Sequence, residues 1–318
     1  MNIDRAVIEI NGGCNYSCQM CPQQRDANGK SGRHKDFLKK MSLDEFEDNV
    51  ADCAQHGLRV VNLDGSGEAT LNSDLPNYIQ IVNKYGCESV IFSNGFKMQG
   101  QFMKDCVDAG LSFFRFSIIG SNPSDYYKWM NSMNFETVIQ NAKNMVEYAT
   151  DKDCKVGTYH LITDTKYQDE QLKQYKEIVE DIGCVTEIWR MHNWSGIYKP
   201  LYNREGEKKT CGRPFSPDVV IRAGGLDGKR GAVAPCCQVL GRDEEAVLGY
   251  TSENTIEEIW NGKEYTELRN GHTSGDYPDY CRDCDFLIDD TEVLVYTNHG
   301  RSRYHMYGTE FTLNDYRK

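Results

Sequence analysis

Cys14, Cys18 and Cys21 stand within one eight-residue window, in Gly12-Gly13-Cys14-Asn15-Tyr16-Ser17-Cys18-Gln19-Met20-Cys21-Pro22. The C-x3-C-x2-C spacing follows directly on a β-like segment, Val7-Ile8-Glu9-Ile10. A loop this short can turn three thiolates onto one iron–sulfur cubane. A four-iron cluster held wholly by protein takes four cysteines, so three leave one iron without a protein ligand. An open coordination position separates a reactive metal centre from a closed structural one. By itself the spacing also suits zinc, whose ligands come at similarly short intervals.

The rest of the composition narrows the context. Thirteen cysteines in 318 residues is an odd number in a long chain. In a reducing compartment such thiols bind metal or serve catalysis more often than they form bridges. The opening Met1-Asn2-Ile3-Asp4-Arg5 has no apolar signal core, and no apolar stretch is long enough to cross a bilayer, so the expected location is cytoplasmic, away from membranes. A net charge of −12 opposes nucleic acid, whose binding rests on lysine and arginine neutralising phosphates. One basic stretch runs against that balance: Arg25, Lys30, Arg33, Lys35, Lys39 and Lys40. It reads either as a solvated loop and helix entry or as a flap over an anionic ligand.

From residue 3 to about 195, β-like and helix-like segments alternate. Strands are expected at 58–63, 89–93, 113–119, 155–162 and 186–191. Helices are expected from a Ser42–Glu45 capping box to Gln55, from Asn72 or Ser73 to Tyr85, and over 99–109, 134–148 and 169–181. Such alternation predicts parallel βαβ units, six of them, closing only part of a barrel. Active sites in that architecture lie at the carboxyl ends of the strands. After Trp194 the pattern becomes irregular, with one clear helix over 255–269, capped by Ser252 or Asn254. The expected division is a barrel over 1–195 and a smaller domain over 196–318.

The cysteine loop resembles the cluster motif of the radical S-adenosylmethionine (SAM) superfamily, and further residues carry the likeness. Gly65-Ser66-Gly67-Glu68, after the second strand, looks like the family's glycine-glycine-glutamate motif, with Ser66 in place of the usual first glycine. The resemblance implies that this loop holds the amino group of the methionine moiety. Glycine allows close backbone approach there, and an acid suits an ammonium. Ser93-Asn94-Gly95 resembles the family's residues near ribose and methionine, and Ser117 stands where it places a ribose-contacting hydroxyl. Cys211, Gly231-Ala232-Val233-Ala234-Pro235-Cys236 and Cys281-Arg282-Asp283-Cys284 look like the auxiliary-cluster region called SPASM or, when shortened, twitch.

The resemblance therefore implies an α/β fold, a partial (βα)6 TIM-like barrel with a small C-terminal twitch/SPASM-like iron–sulfur domain. It implies S-adenosyl-L-methionine (AdoMet) and two [4Fe-4S] clusters. One would be held by Cys14, Cys18 and Cys21, and an auxiliary one by Cys211, Cys236, Cys281 and Cys284. It further implies an external one-electron reductant of flavodoxin or ferredoxin type. AdoMet would be cleaved reductively to a 5′-deoxyadenosyl radical that removes hydrogen from a substrate carbon. The likeness is to dehydrogenases and epimerases of aminoglycoside pathways and to some peptide-modifying enzymes. The substrate is expected to be sugar-like, with a peptide as the alternative. Its radical would either regain hydrogen on the opposite face, giving an epimer, or lose an electron to the auxiliary cluster, giving a two-electron oxidation.

Cys237 bears on that choice. It follows Cys236 directly, and a cluster with four ligands has no use for a fifth. It reads as a buried small side chain, as the ligand in place of Cys236, or as a thiol that donates a hydrogen atom. Trp189, Arg190, His192, Asn193, Trp194 and Tyr198 follow the last barrel strand. Trp189, His192, Asn193 and Trp194 are the expected substrate contacts, and a packed domain junction is the competing reading.

Overall fold

The computed structural model describes residues 1–24, 32–163, 167–198, 206–288 and 294–299. Its architecture is mixed α/β around a parallel sheet that forms a partial TIM-like barrel. Six strands run in chain order: β1 (Arg5–Ile8), β2 (Val60–Asn62), β3 (Glu88–Ser93), β4 (Phe113–Ser117), β5 (Lys155–Ile162) and β6 (Val185–Arg190). Each pairs in parallel with the next. Parallel neighbours need crossovers, and these are the helices α1 (Leu43–Ala54), α2 (Leu75–Lys84), α3 (Gly100–Asp108), α4 (Pro123–Met130), α5 (Phe135–Ala149) and α6 (Gln168–Ile182). The barrel does not close. Beyond β1 the sheet continues through β7 (Asp218–Ile221), β8 (Ala232–Ala234) and β9 (Gly249–Tyr250), and beyond β6 through the antiparallel β10 (Leu294–Thr297).

Local chemistry fixes the ends of the elements. The Ser42 hydroxyl accepts from the Glu45 N–H at 3.2 Å while the Glu45 carboxylate accepts from the Ser42 N–H at 2.8 Å, the reciprocal capping box expected for α1. Helix α6 stops at Gly183, whose φ of +75° a side chain would disfavour. Helix α4 was not expected from the sequence. Asn122 caps it and Pro123 occupies its first position. The single helix expected over 255–269 is two, α7 (Ile256–Asn261) and α8 (Lys263–Ser274), broken at Gly262. Its cap is Thr255, in a second capping box with Glu258, rather than Ser252 or Asn254. A four-residue helix, α9 (Asp279–Arg282), follows.

One hydrophobic core spans the barrel and the C-terminal region. It includes Ile8, Val61, Phe114 and Ile188 from the strands and Leu248, Ile259, Leu268 and Leu287 from beyond residue 196. The two regions are thus joined by sheet and by core, and their meeting place is the site. Among the described residues no helix is long and apolar enough to cross a membrane.

Candidate functional site

A cavity of about 290 Å³ opens at the carboxyl ends of the barrel strands and is walled on one side by the C-terminal region. Cys14, Cys18 and Cys21 line it together. Their loop leaves β1 and is held by short-range bonds: Cys21 N–H donates to the Cys18 carbonyl at 3.1 Å and Gln24 N–H to the Cys21 carbonyl at 2.8 Å. Gln19 N–H bonds the Trp129 carbonyl on α4 at 2.9 Å, and the Cys18 thiol faces Met130 Sδ at 3.8 Å. Burial, then the neighbouring Cys21 and Cys14, push the Cys18 thiol well up, and burial pushes Cys21 up to about 11. Cys18 and Cys21 so placed are poor thiolates on their own. A cationic iron–sulfur centre supplies the missing positive charge, and thiolates are the donors it takes.

The 65–68 loop packs tightly on this one. A Cβ at Gly65 would come within 2.8 Å of the Glu9 side chain, and one at Gly67 would overlap the Asn11 carbonyl. Ser66 N–H donates to Glu9 Oε2 at 2.6 Å, and its carbonyl accepts from the Gln23 amide. The Ser66 hydroxyl is buried on the cavity wall and has no hydrogen-bond partner among the described residues. An orphaned hydroxyl beside close-approach glycines fits a polar ligand such as AdoMet. Glu68 accepts from Thr70 N–H, Thr70 Oγ1, Ser93 Oγ and Asn94 N–H at 2.7–3.0 Å. Its carboxylate therefore ties the ends of β2 and β3 together, which the motif reading did not foresee. Ser93, Asn94 and Ser117 all line the cavity.

The C-terminal cysteines separate into a group and an outlier. Cys211, Cys281 and Cys284 are buried, and the thiols of Cys281 and Cys284 each sense Cys211 and Cys236 electrostatically. Burial is the main cause that raises Cys236, Cys281 and Cys284, Cys236 to about 12. Cys237, whose thiol also acts on Cys236, lines the cavity, which Cys211, Cys236, Cys281 and Cys284 do not; Arg213 Nη1 and Gln238 Nε2 each lie 3.6 Å from its sulfur. Among the described residues no three His, Cys, Asp or Glu side chains converge on a lone metal ion. A cubane instead sets its cysteine sulfurs apart by the width of the cluster.

Of the expected substrate contacts, Trp189, His192 and Trp194 line the cavity and Asn193 does not. Asn193 is turned to the C-terminal region: Nδ2 donates to the Asp283 carbonyl at 2.7 Å, Oδ1 accepts from Asp285 N–H at 3.2 Å, and its own N–H donates to Asp285 Oδ2 at 3.0 Å. Trp194 combines both readings. It faces the cavity, and its indole N–H donates to the Met20 carbonyl at 2.6 Å, while Tyr198 OH donates to the Cys21 carbonyl at 2.8 Å. Segment 192–198 is thus a strap over the cysteine loop. It is held in a rare backbone form, with positive φ at Trp194 (48°), Ser195 (57°) and Gly196 (85°).

Three charged residues inside the barrel escaped the sequence reading. Arg115 on β4 is clamped between the Phe92 and Phe113 rings and pairs with Glu187 on β6 at 2.8 Å. Asp64, just past β2, lines the same cavity and accepts from Asn62 Nδ2 and Phe92 N–H. Burial raises its carboxyl to about 6 despite those bonds and Arg115. Arg33, placed above in a basic stretch, is neither solvated nor a flap residue. It is buried between Glu9 and Asp243, whereas Lys35, Lys39 and Lys40 are exposed. Arg25 and Lys30 lie outside the described residues.

Residues 8–175 match the family described as "Radical SAM superfamily", and residues 228–285 match SPASM, an "Iron-sulfur cluster-binding domain". The probable GTP 3′,8-cyclase of Methanococcus maripaludis (strain C5) is 28% identical over 141 residues, 44% of this chain and 44% of that protein. The chain thus spans under half the length of that relative. The tungsten-containing aldehyde ferredoxin oxidoreductase cofactor-modifying protein of Pyrococcus furiosus is 22% identical over 320 residues, covering 87% of this chain and 86% of that one. Among solved structures, BtrN in complex with AdoMet and 2-DOIA has a TM-score of 0.58 at 17% identity, covering 90% of this chain and 94% of that one. Streptococcus suis SuiB bound to precursor peptide SuiA has a TM-score of 0.62 at 14% identity, with 90% and 70% covered. At these identities the structural likeness is one of fold.

Proposed function

The chain belongs to the radical SAM superfamily, and we propose that it epimerises a carbon of a sugar-like small molecule. It carries a C-terminal SPASM domain and uses AdoMet and [4Fe-4S] clusters, one of them auxiliary. We assign Cys14, Cys18 and Cys21 to the AdoMet-binding cluster. We assign Cys211, Cys236, Cys281 and Cys284 to the auxiliary one, within a barrel over 1–195 and a second domain over 196–318. When bound, the first cluster and AdoMet supply a radical able to take hydrogen from an unactivated C–H bond.

The protein's part is to bind, orient and shield. Gly65 and Gly67 admit AdoMet close to the backbone, and Ser66, Ser93, Asn94 and Ser117 offer it polar contacts. Glu68 keeps those strand ends in register. Trp189, His192 and Trp194 present aromatic and polar faces to the substrate, as a sugar requires. Cys237 returns a hydrogen atom to the substrate carbon, and the sulfur radical left on it is restored to the thiol by one electron from the external reductant and a proton from solvent. The observation that carries this reading is that Cys237 lines the cavity together with the AdoMet-loop residues, while Cys211, Cys236, Cys281 and Cys284 do not line it. A flavodoxin- or ferredoxin-type protein is the reductant, and the compartment is the cytoplasm.

Turnover in deuterated water tests it. Solvent deuterium is expected in an unoxidised product, and Cys237→Ala should cleave AdoMet but form no epimer. Full epimerisation by that variant overturns the assignment. A second reading, two-electron oxidation of an alcohol or amine carbon, is favoured by one observation. Asp64 faces the cavity with its carboxyl raised to about 6, which suits a proton acceptor near neutral pH. An oxidised product without solvent deuterium selects it.

A further inference from the structure

Four buried charges join the cysteine loop, the 65–68 loop and the C-terminal region, and none of them lines the cavity. Glu9 follows β1, Arg33 precedes α1, Arg222 follows β7, and Asp243 lies six residues beyond Cys237. Arg33 grips Glu9 with both terminal nitrogens at 3.0 Å, donates to the Gly12 carbonyl at 3.2 Å, and turns its Nε to Asp243 at 3.0 Å. Arg222 is held more loosely, 3.6 Å from Asp243 and 4.0 Å from Glu9. The tight path therefore runs from Asp243 through Arg33 to Glu9.

That path ends on the AdoMet loop. Glu9 Oε2 accepts the Ser66 N–H at 2.6 Å, and the Glu9 side chain fills the space that a Cβ at Gly65 would need. From the other side, the Gln23 amide holds the Ser66 carbonyl. The Ser66 backbone is held at its N–H and at its carbonyl; the residue lines the cavity, and its buried hydroxyl has no hydrogen-bond partner among the described residues. Removing one member of a buried charge pair leaves the other uncompensated, so it shifts or draws in water. Here such a shift would be felt first at Ser66.

We propose that Arg33 and Asp243 are positioning residues for AdoMet: Asp243 fixes Arg33, Arg33 fixes Glu9, and Glu9 aims Ser66 at the cofactor. AdoMet affinity then depends on a residue of the C-terminal region that does not touch AdoMet. This rests on the assignment of the 65–68 loop to AdoMet.

The test uses anaerobic, fully reconstituted holoenzyme, with AdoMet binding measured by calorimetry in the oxidised state. The EPR signal of the reduced protein is recorded with and without AdoMet. Asp243→Asn is expected to weaken AdoMet about tenfold and to diminish the AdoMet-induced EPR shift at unchanged iron content, and Asp243→Glu should recover most of the loss. Arg33→Lys keeps the charge but loses the fork, and about fivefold weaker binding is expected; this variant decides the matter if Asp243→Asn fails to fold. Iron-replete Asp243→Asn or Arg33→Lys that binds AdoMet as wild type does overturns the proposal, even if its melting temperature has fallen. Wild-type holoenzyme that binds no AdoMet would instead sink the cofactor assignment beneath it.

Discussion

The two cysteine groups are built in opposite ways. Cys14, Cys18 and Cys21 come from one loop, are half-buried and face a cavity. Cys211, Cys236, Cys281 and Cys284 come from segments spread over more than seventy residues, and three of them are part of the hydrophobic core. A local group depends on its own turn geometry and can leave one side open to a ligand. A gathered group exists only once the sheet and core have formed, and it closes around whatever it holds. Under the assignments proposed above, the loop serves the reactive cluster and the gathered group a buried, structurally coupled one.

Removing one thiol from each group is the sharpest way to break that contrast. Cys18→Ala should cut iron from about eight to about four per chain and abolish reductive AdoMet cleavage, with little change in the melting temperature. Cys284→Ser should lose about four irons too, yet retain AdoMet cleavage to within about tenfold while melting clearly lower, because Cys284 packs in the core beside Cys211 and Cys281. Iron analysis, 5′-deoxyadenosine assay and thermal unfolding read all three quantities. Equal loss of cleavage in both variants would erase the distinction.

The strap sharpens the comparison, since it is where the C-terminal region reaches the open group. Trp194→Phe keeps the ring and removes the N–H that serves the Met20 carbonyl. That bond is worth about 1 kcal/mol, and its loss leaves a partly buried carbonyl unpaired. Iron release from the loop group to a chelator should quicken about fivefold, with release from the gathered group unchanged. Equal acceleration at both would mean that the strap supports the whole fold rather than the loop.

What the sequence made legible follows the same line. The Ser42–Glu45 cap, β5 and the strand–helix alternation are encoded within a few residues, and the structure places them as expected; the C-x3-C-x2-C loop is equally local, and its three cysteines line one cavity. The gathered cysteines came from resemblance alone, because nothing local links Cys211 to Cys284. The Glu9–Arg33–Asp243 path joins residues 24 and 210 positions apart, and Arg33 sits among exposed lysines that disguise it. Arg115 and Glu187 read as charges on alternating strands, which ordinarily face water. Only the curvature of the sheet into a partial barrel turns them inward. Local signals for α4 and for the α7 cap were present, as Asn122-Pro123 and as Thr255 followed by Glu258.

The effect confined to stability concerns Asp64, which lies on the barrel's side of the contrast. Its carboxyl is raised from 3.8 to about 6, so the folded protein binds a proton more tightly than the unfolded chain does. Stability attributable to this group is therefore greatest at low pH. It falls as pH rises from about 4 through about 6 and is constant above that, a total of about 2–3 kcal/mol. Asp64→Asn keeps an oxygen for Asn62 Nδ2 and Phe92 N–H but never ionises. The variant should gain stability relative to wild type as pH rises from about 4 to about 6, and the gain should then level off. Denaturant unfolding at matched iron content measures it. A difference independent of pH would show that Asp64 titrates normally, and would remove the proton acceptor on which the oxidation reading depends.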